Sequence, residues 1–184
     1  MKEITSQKTY EERISRILIT EEEIAAAVKK AGRDIDALYD GHPILLVSIL
    51  KGSFVFLADL ARAVTVPCEI GFMCAKSYYE GTTSTGVVKI TMDLDRNIEN
   101  YHVIIVEDIV DTGESMEHLL RSLAGHRPAS VEIATLLFKP SKFSKDYDVK
   151  YRALEIPNDF IVGFGLDYDE LGRNLKDIYT VVNE

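Results

Sequence analysis

The chain has 184 residues, 46% of them hydrophobic, a formal net charge of −9 at pH 7 and a pI near 5.0. That length suits one hydrophobic core and is too short for two ordinary domains. The acidic balance excludes a surface built to hold a nucleic-acid backbone or an anionic membrane, so any phosphate has to be held by local groups.

Residues 9–17 are strongly charged, and Thr20-Glu21-Glu22-Glu23 then reads as a capping box with Thr20 as N-cap. A helix is expected over about 21–39. After Pro43 the apolar run 44–50 reads as a buried strand, and Lys51-Gly52 leads into a helix over about 53–64. Strand-like segments at 68–78 and 87–94 flank the polar loop Glu80–Gly86, which is either a hairpin connection or a mobile lid. A second strand, turn and helix occupies 103–124. A strand at 131–138, an irregular basic stretch at 139–152, and strand-like runs at 160–166 and 178–182 complete the chain. Strands alternating with helices predict an α/β fold with a largely parallel sheet flanked by helices.

Cys68 and Cys74 lie on one expected strand, too far apart to pair. With no signal peptide and no long apolar span, a cytoplasmic protein is expected. His42, His102, His118 and His126 show no metal-ligand spacing.

The most informative stretch is Val103 to Ser115. Val103, Ile104, Ile105 and Val106 have no polar alternation, as in a central parallel strand with both faces covered, and ligands bind at the carboxyl end of such a strand. There Glu107 and Asp108 stand side by side, where they would repel each other unless a cation or sugar hydroxyls lie between them. Asp111, Thr112, Gly113, Glu114 and Ser115 follow, offering backbone amides and hydroxyls before a helix marked by Met116, Leu119, Leu120 and Leu123. An anion placed there meets the positive end of the helix dipole. Each fragment alone reads as a solvated strand end or a common turn; joined, they outline a phosphoribose site.

The whole string resembles the phosphoribosyl pyrophosphate signature of the type I phosphoribosyltransferases. The resemblance covers nearly all of residues 10–182 and is strongest to the branch acting on hypoxanthine and guanine. It implies that family's sheet, with a small hood contributed by about 1–40 and 151–184. Leu50-Lys51-Gly52-Ser53 is similar to the branch's pyrophosphate loop, whose peptide bond before the lysine can be cis. Ser77-Tyr78 is similar to the pair opening the family's flexible loop, which favours the lid. Lys139 takes the place of the donor to a purine 6-oxo group, Phe160 that of the aromatic stacked on the base, and Ile161 lends its backbone to the base edge. Asp167 resembles a ligand of pyrophosphate-bound Mg²⁺, and Arg173 the guanidinium that grips pyrophosphate; backbone carbonyls near Ile161 and Asp167 are expected to meet the 2-position of the base. The resemblance implies that Glu107 and Asp108 bind the ribose hydroxyls or their metal. Glu114 departs from the common mammalian-like pattern, which carries lysine there; it is expected to face solvent.

The resemblance implies displacement of pyrophosphate from phosphoribosyl pyrophosphate by N9 of a 6-oxopurine, with Asp111 as general base. It also implies Mg²⁺ and a homodimer or homotetramer. Lys139 can only donate, so adenine should be rejected. Two rivals stay open: a xanthine-preferring transferase, and a regulator that keeps the fold but binds nucleic acid. The second needs a basic face, against which the charge of −9 counts.

Overall fold

In chain order the elements are β1 (Ile14–Ile19), α1 (Glu21–Leu38), β2 (Ile44–Leu50), α2 (Phe54–Ala63), β3 (Cys68–Glu80), β4 (Thr83–Met92), β5 (His102–Val110), α3 (Glu114–Ala124), β6 (Ser130–Phe138), β7 (Tyr151–Glu155), β8 (Ile161–Val162) and β9 (Ile178–Val181). They come from a computed structural model that describes residues 12–80 and 83–182, the side chains of 76–80 and 83–88 excepted.

Six strands form one sheet in the order β4-β3-β2-β5-β6-β7. β3, β2, β5, β6 and β7 run parallel, and β4 alone is antiparallel, at the edge beside β3. The apolar runs of β2 and β5 are buried on both faces. Leu46, Ile104 and Val106 point to the side covered by α1 and α2, where Ile24, Val28, Ile35, Phe56 and Leu60 pack. Leu45, Val47, Val103 and Ile105 point to the opposite side, against Met116, Leu119 and Leu123 of α3. Each such side chain contributes about 1.5–3 kcal/mol on burial, which holds the central strands on both faces.

The start of α1 is a capping box. Thr20 Oγ1 accepts from the Glu23 amide at 3.3 Å, and the Glu23 carboxylate accepts from the Thr20 amide at 2.9 Å.

A second sheet joins distant parts of the chain in the order β1-β9-β8. β1 lies within and just beyond the charged N-terminal stretch, where no strand was expected. It pairs antiparallel with β9, from Ile14↔Val181 to Ile19↔Ile178. α1 packs on α2 and β7 of the large sheet rather than on this small one.

Three further differences from the sequence reading have physical reasons. The polar loop 80–86 is largely strand, because Tyr79 pairs with Ser84 and Glu80 with Thr83 and threonine and valine favour the pleated backbone. Gly81 and Thr82 lie outside the described residues, as do the side chains of Ser77 and Tyr78. The expected strand 160–166 shrinks to two residues, since Gly163 and Gly165 take positive φ (114° and 97°) and Gly163 bridges back to Leu166. The basic stretch ends in β7, which pairs with β6 from Ala134↔Tyr151 to Phe138↔Glu155. Among the described residues, no helix is long and apolar enough to cross a membrane.

Candidate active site

The carboxyl ends of β2, β5 and β6 lie side by side, and the residues singled out from sequence follow them. β5 continues past its apolar run to Val110, so Glu107 and Asp108 sit inside the strand and are half-buried rather than solvated. Burial pushes both carboxyls up, Asp108 to about 6; Glu107 rises well above its ordinary value because of burial and the Asp108 charge beside it. Glu107 Oε2 is buried with no hydrogen-bond partner among the described residues. A carboxyl pair held this way would be favoured in its charged form by hydroxyls or a cation placed against it.

Beyond Val110 the chain turns through Asp111 to Gly113 into α3. Gly113, the N-cap, has φ +86°, a left-handed conformation that glycine adopts without strain. A Cβ there would lie 2.5 Å from Tyr147 Oη and 2.7 Å from Phe143 Cε2. The basic stretch therefore folds down over the turn. Phe143 packs tilted on Phe138 and edge-on to Tyr147, at ring separations of 5.2 and 5.3 Å, and the Tyr147 hydroxyl donates to Gly113 O at 2.5 Å. Burial raises the Tyr147 phenol, which keeps it protonated as that donor. A cavity of about 100 Å³ remains at the turn, lined by Glu107 and residues 109–116. Glu114 is exposed and is also one of the residues lining the cavity, beside the backbone amides at the start of α3.

Lys139 and Asp111 meet because β5 and β6 end in register. Val110 pairs with Phe138, the Lys139 amide donates to Val110 O at 3.0 Å, and Lys139 Nζ lies 3.8 Å from Asp111 Oδ2. Lys139 is only 6% exposed and also donates to Asp159 O at 2.9 Å, so it is no solvated strand-end lysine. Its burial lowers its pKa, an effect opposed by the charges of Asp111 and Asp159. Asp111 Oδ2 takes a second ammonium, Lys142 Nζ at 3.1 Å, while Oδ1 is buried and accepts nothing among the described residues. Sequence reasoning missed Lys142, although its place in the basic stretch three residues after Lys139 was a usable signal.

Asp159 leads to Phe160, which is 45% exposed and meets the Tyr168 ring edge-on at 5.8 Å. An exposed aromatic face beside Lys139 is suited to stacking on a flat ring. Val181 N donates to Phe160 O at 2.9 Å and Ile161 lies opposite Thr180. Ile161 is thus in a non-hydrogen-bonded pair, and because β8 is the sheet's edge its own amide and carbonyl point off the sheet.

The loop after β2 meets the segment after β8. The Leu50–Lys51 peptide is cis. Ser53 Oγ contacts Ser48 Oγ at 2.6 Å and donates to Ile49 O at 2.5 Å, both buried, which ties the loop to its strand. A Cβ on Gly52 would fall 1.6 Å from Asp108 Oδ2, and one on Gly165 would fall 2.1 Å from Gly52 O. Glycine at both positions lets the Gly165 and Gly52 backbones approach each other and lets the Asp108 carboxylate sit against Gly52. Arg173 then closes the cluster: Nη1 donates to Gly165 O at 2.8 Å and Nη2 lies 2.7 Å from Asp167 Oδ1. Lys51 Nζ reaches Glu170 Oε2 at 2.8 Å. Sequence reasoning did not mark Glu170, which is 119 positions from Lys51 and has no motif around it.

All the described candidates therefore gather at one end of the sheet, with Lys51, Gly52, Asp167 and Arg173 on one side of Asp108 and Asp111, Lys139 and Phe160 on the other. Among the described residues no cluster of three or more His, Cys, Asp or Glu side chains is set to hold a metal by itself. Mg²⁺ takes one or two carboxylates and completes its shell with substrate phosphates and water; the unpartnered Glu107 Oε2 and the neighbouring Asp108 would offer such donors.

Comparison with known proteins identifies the family. Residues 14–169 match the model of the phosphoribosyl transferase domain. The chain is 48% identical over 178 residues to the hypoxanthine-guanine phosphoribosyltransferase of Streptococcus mutans, covering 92% of this chain and 98% of that protein. Its identity to the enzyme of the same name from Mycobacterium avium is 44% over 174 residues, covering 91% and 86%. The crystal structure of a hypoxanthine phosphoribosyltransferase from Staphylococcus aureus superposes with a TM-score of 0.89 at 40% identity, covering 98% of this chain and 97% of that one.

Proposed function

Because the chain belongs to the phosphoribosyl transferase family, among its hypoxanthine-guanine phosphoribosyltransferases, we propose that the donor lies along the ends of β2 and β5 and the purine beside Lys139. The enzyme transfers the 5-phosphoribosyl group of phosphoribosyl pyrophosphate to N9 of hypoxanthine or guanine, giving IMP or GMP and pyrophosphate.

The 5′-phosphate occupies the cavity lined by residues 111–115, with Thr112, Gly113 and Ser115 supplying donors and Glu114 facing solvent. Glu107 and Asp108 take the ribose hydroxyls. Lys51, the Gly52 backbone and Arg173 hold the pyrophosphate. Mg²⁺ bound with the donor would be held by Asp167 and by Glu107 or Asp108, and would neutralise charge developing on the leaving group.

As the C1′–oxygen bond to pyrophosphate breaks and the C1′–N9 bond forms, the sugar becomes oxocarbenium-like, by the chemistry that governs glycosides. Lys51 and Arg173 stabilise the departing anion. Lys139 donates to the 6-oxo group, the Ile161 backbone meets the other edge of the base, and Phe160 covers its face. Asp111 Oδ1, buried and without a partner, accepts the proton at N7 as general base. Ser77 and Tyr78, carried on the β3–β4 hairpin, close over the sugar and keep water from the cationic carbon.

β1, β8 and β9 form the hood over this site, and the assembly is a cytoplasmic homodimer or homotetramer. Exposed Phe54, Phe72 and Met92 are the apolar surface that such an assembly would cover.

The observation that carries this reading is the Lys139–Asp111 pair, which sets a donor for the oxo group beside an acceptor for the ring nitrogen. The test is pyrophosphate release by the purified protein with donor and Mg²⁺. Hypoxanthine and guanine should support release and adenine should not. Equal release with adenine would overturn the assignment of Lys139.

A further inference from the structure

Glu170 contacts both cations that the preceding reading assigns to the leaving group. Its Oε2 lies 2.8 Å from Lys51 Nζ and 3.5 Å from Arg173 Nη2. The contact is built by the backbone, since Asp169 and Glu170 are consecutive non-glycine residues at positive φ, 49° and 69°, a left-handed turn uncommon for such side chains. The Glu170 amide is anchored by donating to Asp167 Oδ2 at 2.9 Å.

The two carboxylates of this cluster are unequal. Asp167 is 31% exposed, and its two oxygens are engaged by Arg173 and the Glu170 amide. Glu170 is 65% exposed, and among the described residues its carboxylate is held by the two cations. A highly charged pyrophosphate placed on Lys51 and Arg173 would therefore meet Glu170 as a rival anion on the same groups. Swinging Glu170 into water is the cheapest relief, because its side chain is already mostly solvated and an exposed pair of this kind is weak.

We propose that Glu170 is an internal competitor of pyrophosphate, a positioning residue that holds Lys51 and Arg173 in their working places and returns to them as the product leaves. It weakens pyrophosphate binding and speeds pyrophosphate release. The role rests on the assignment of Lys51 and Arg173 to the leaving group.

The test is calorimetric titration of the full chain with pyrophosphate in the presence of Mg²⁺, together with stopped-flow measurement of its dissociation. Glu170→Gln keeps the size and the anchoring amide and removes the charge. It should bind pyrophosphate about two- to fivefold more tightly, the scale of an exposed charge pair, with dissociation slowed to match, while affinity for IMP stays as in the wild type. Arg173→Ala, titrated in parallel, should bind pyrophosphate more weakly. If Arg173→Ala weakens binding but Glu170→Gln leaves it unchanged or weaker, the competitor role is overturned and the leaving-group site stands. If Arg173→Ala leaves binding unchanged, the leaving-group site itself is misassigned and the proposal falls with it.

Discussion

Lys139 Nζ lies 3.8 Å from Asp111 Oδ2, although the two residues follow different strands and are separated by a helix. The pairing of Val110 with Phe138 places them, so the chemistry of the base depends on the register of two buried strands. A one-residue slip of β6 would turn Lys139 to the other face. Lys142 adds a second ammonium to Oδ2, which leaves Oδ1 as the oxygen of Asp111 without a partner among the described residues.

Lys139 should set the choice of base. Lys139→Gln replaces a pure donor by a group that can either donate or accept. Loss of a charged hydrogen bond, on the order of 1.5–3 kcal/mol, predicts a fall in kcat/KM for hypoxanthine of about one to two orders of magnitude. Rejection of adenine should relax at the same time. Steady-state kinetics with both bases check this; a variant that keeps full selectivity would contradict the role.

Gly52 should tolerate no side chain. In Gly52→Ala the new Cβ would sit 1.6 Å from Asp108 Oδ2, so either the Asp108 carboxylate, held by the Ile109 amide, or the loop has to move. Crowding of this kind typically costs about 1–3 kcal/mol. Urea unfolding should register that loss, and donor affinity should fall by calorimetry because Lys51 moves with the loop.

The acidic pair predicts a particular pH dependence. Asp108 is raised to about 6 from an ordinary value near 3.8, and Glu107 is raised well above its ordinary value, by burial first and then by the Asp108 charge. The folded protein therefore binds more protons than the unfolded chain above pH 4, and stability from these groups is present below their ordinary values and lost as pH rises through 6. Glu107→Gln with Asp108→Asn should be more stable than the wild type at pH 7.5 and equal to it near pH 3.5, by thermal unfolding. The same variant should bind donor more weakly at pH 7.5 in the presence of Mg²⁺. Unchanged donor affinity would return the pair to a purely structural part.

What the sequence made legible was local. The capping box at Thr20 and Glu23, the apolar runs of β2 and β5, and the turn from Asp111 to Ser115 all carry their signal within a few neighbouring residues. What it hid depends on partners far along the chain. β1 is a strand because β9 pairs with it, more than 150 residues away. The two-residue β8 is too short for any periodicity. Glu170 and Lys142 gain their meaning only when the ends of β2, β5 and β6 are brought together.

The most direct test of the account is single-turnover formation of IMP by Asp111→Asn, which keeps the shape of the side chain and removes the proton acceptor. Donor affinity, measured by calorimetry on the same protein, should change little, while the rate of transfer falls by about 10²- to 10⁴-fold, the usual contribution of a general base. A transfer rate equal to that of the wild type would contradict it.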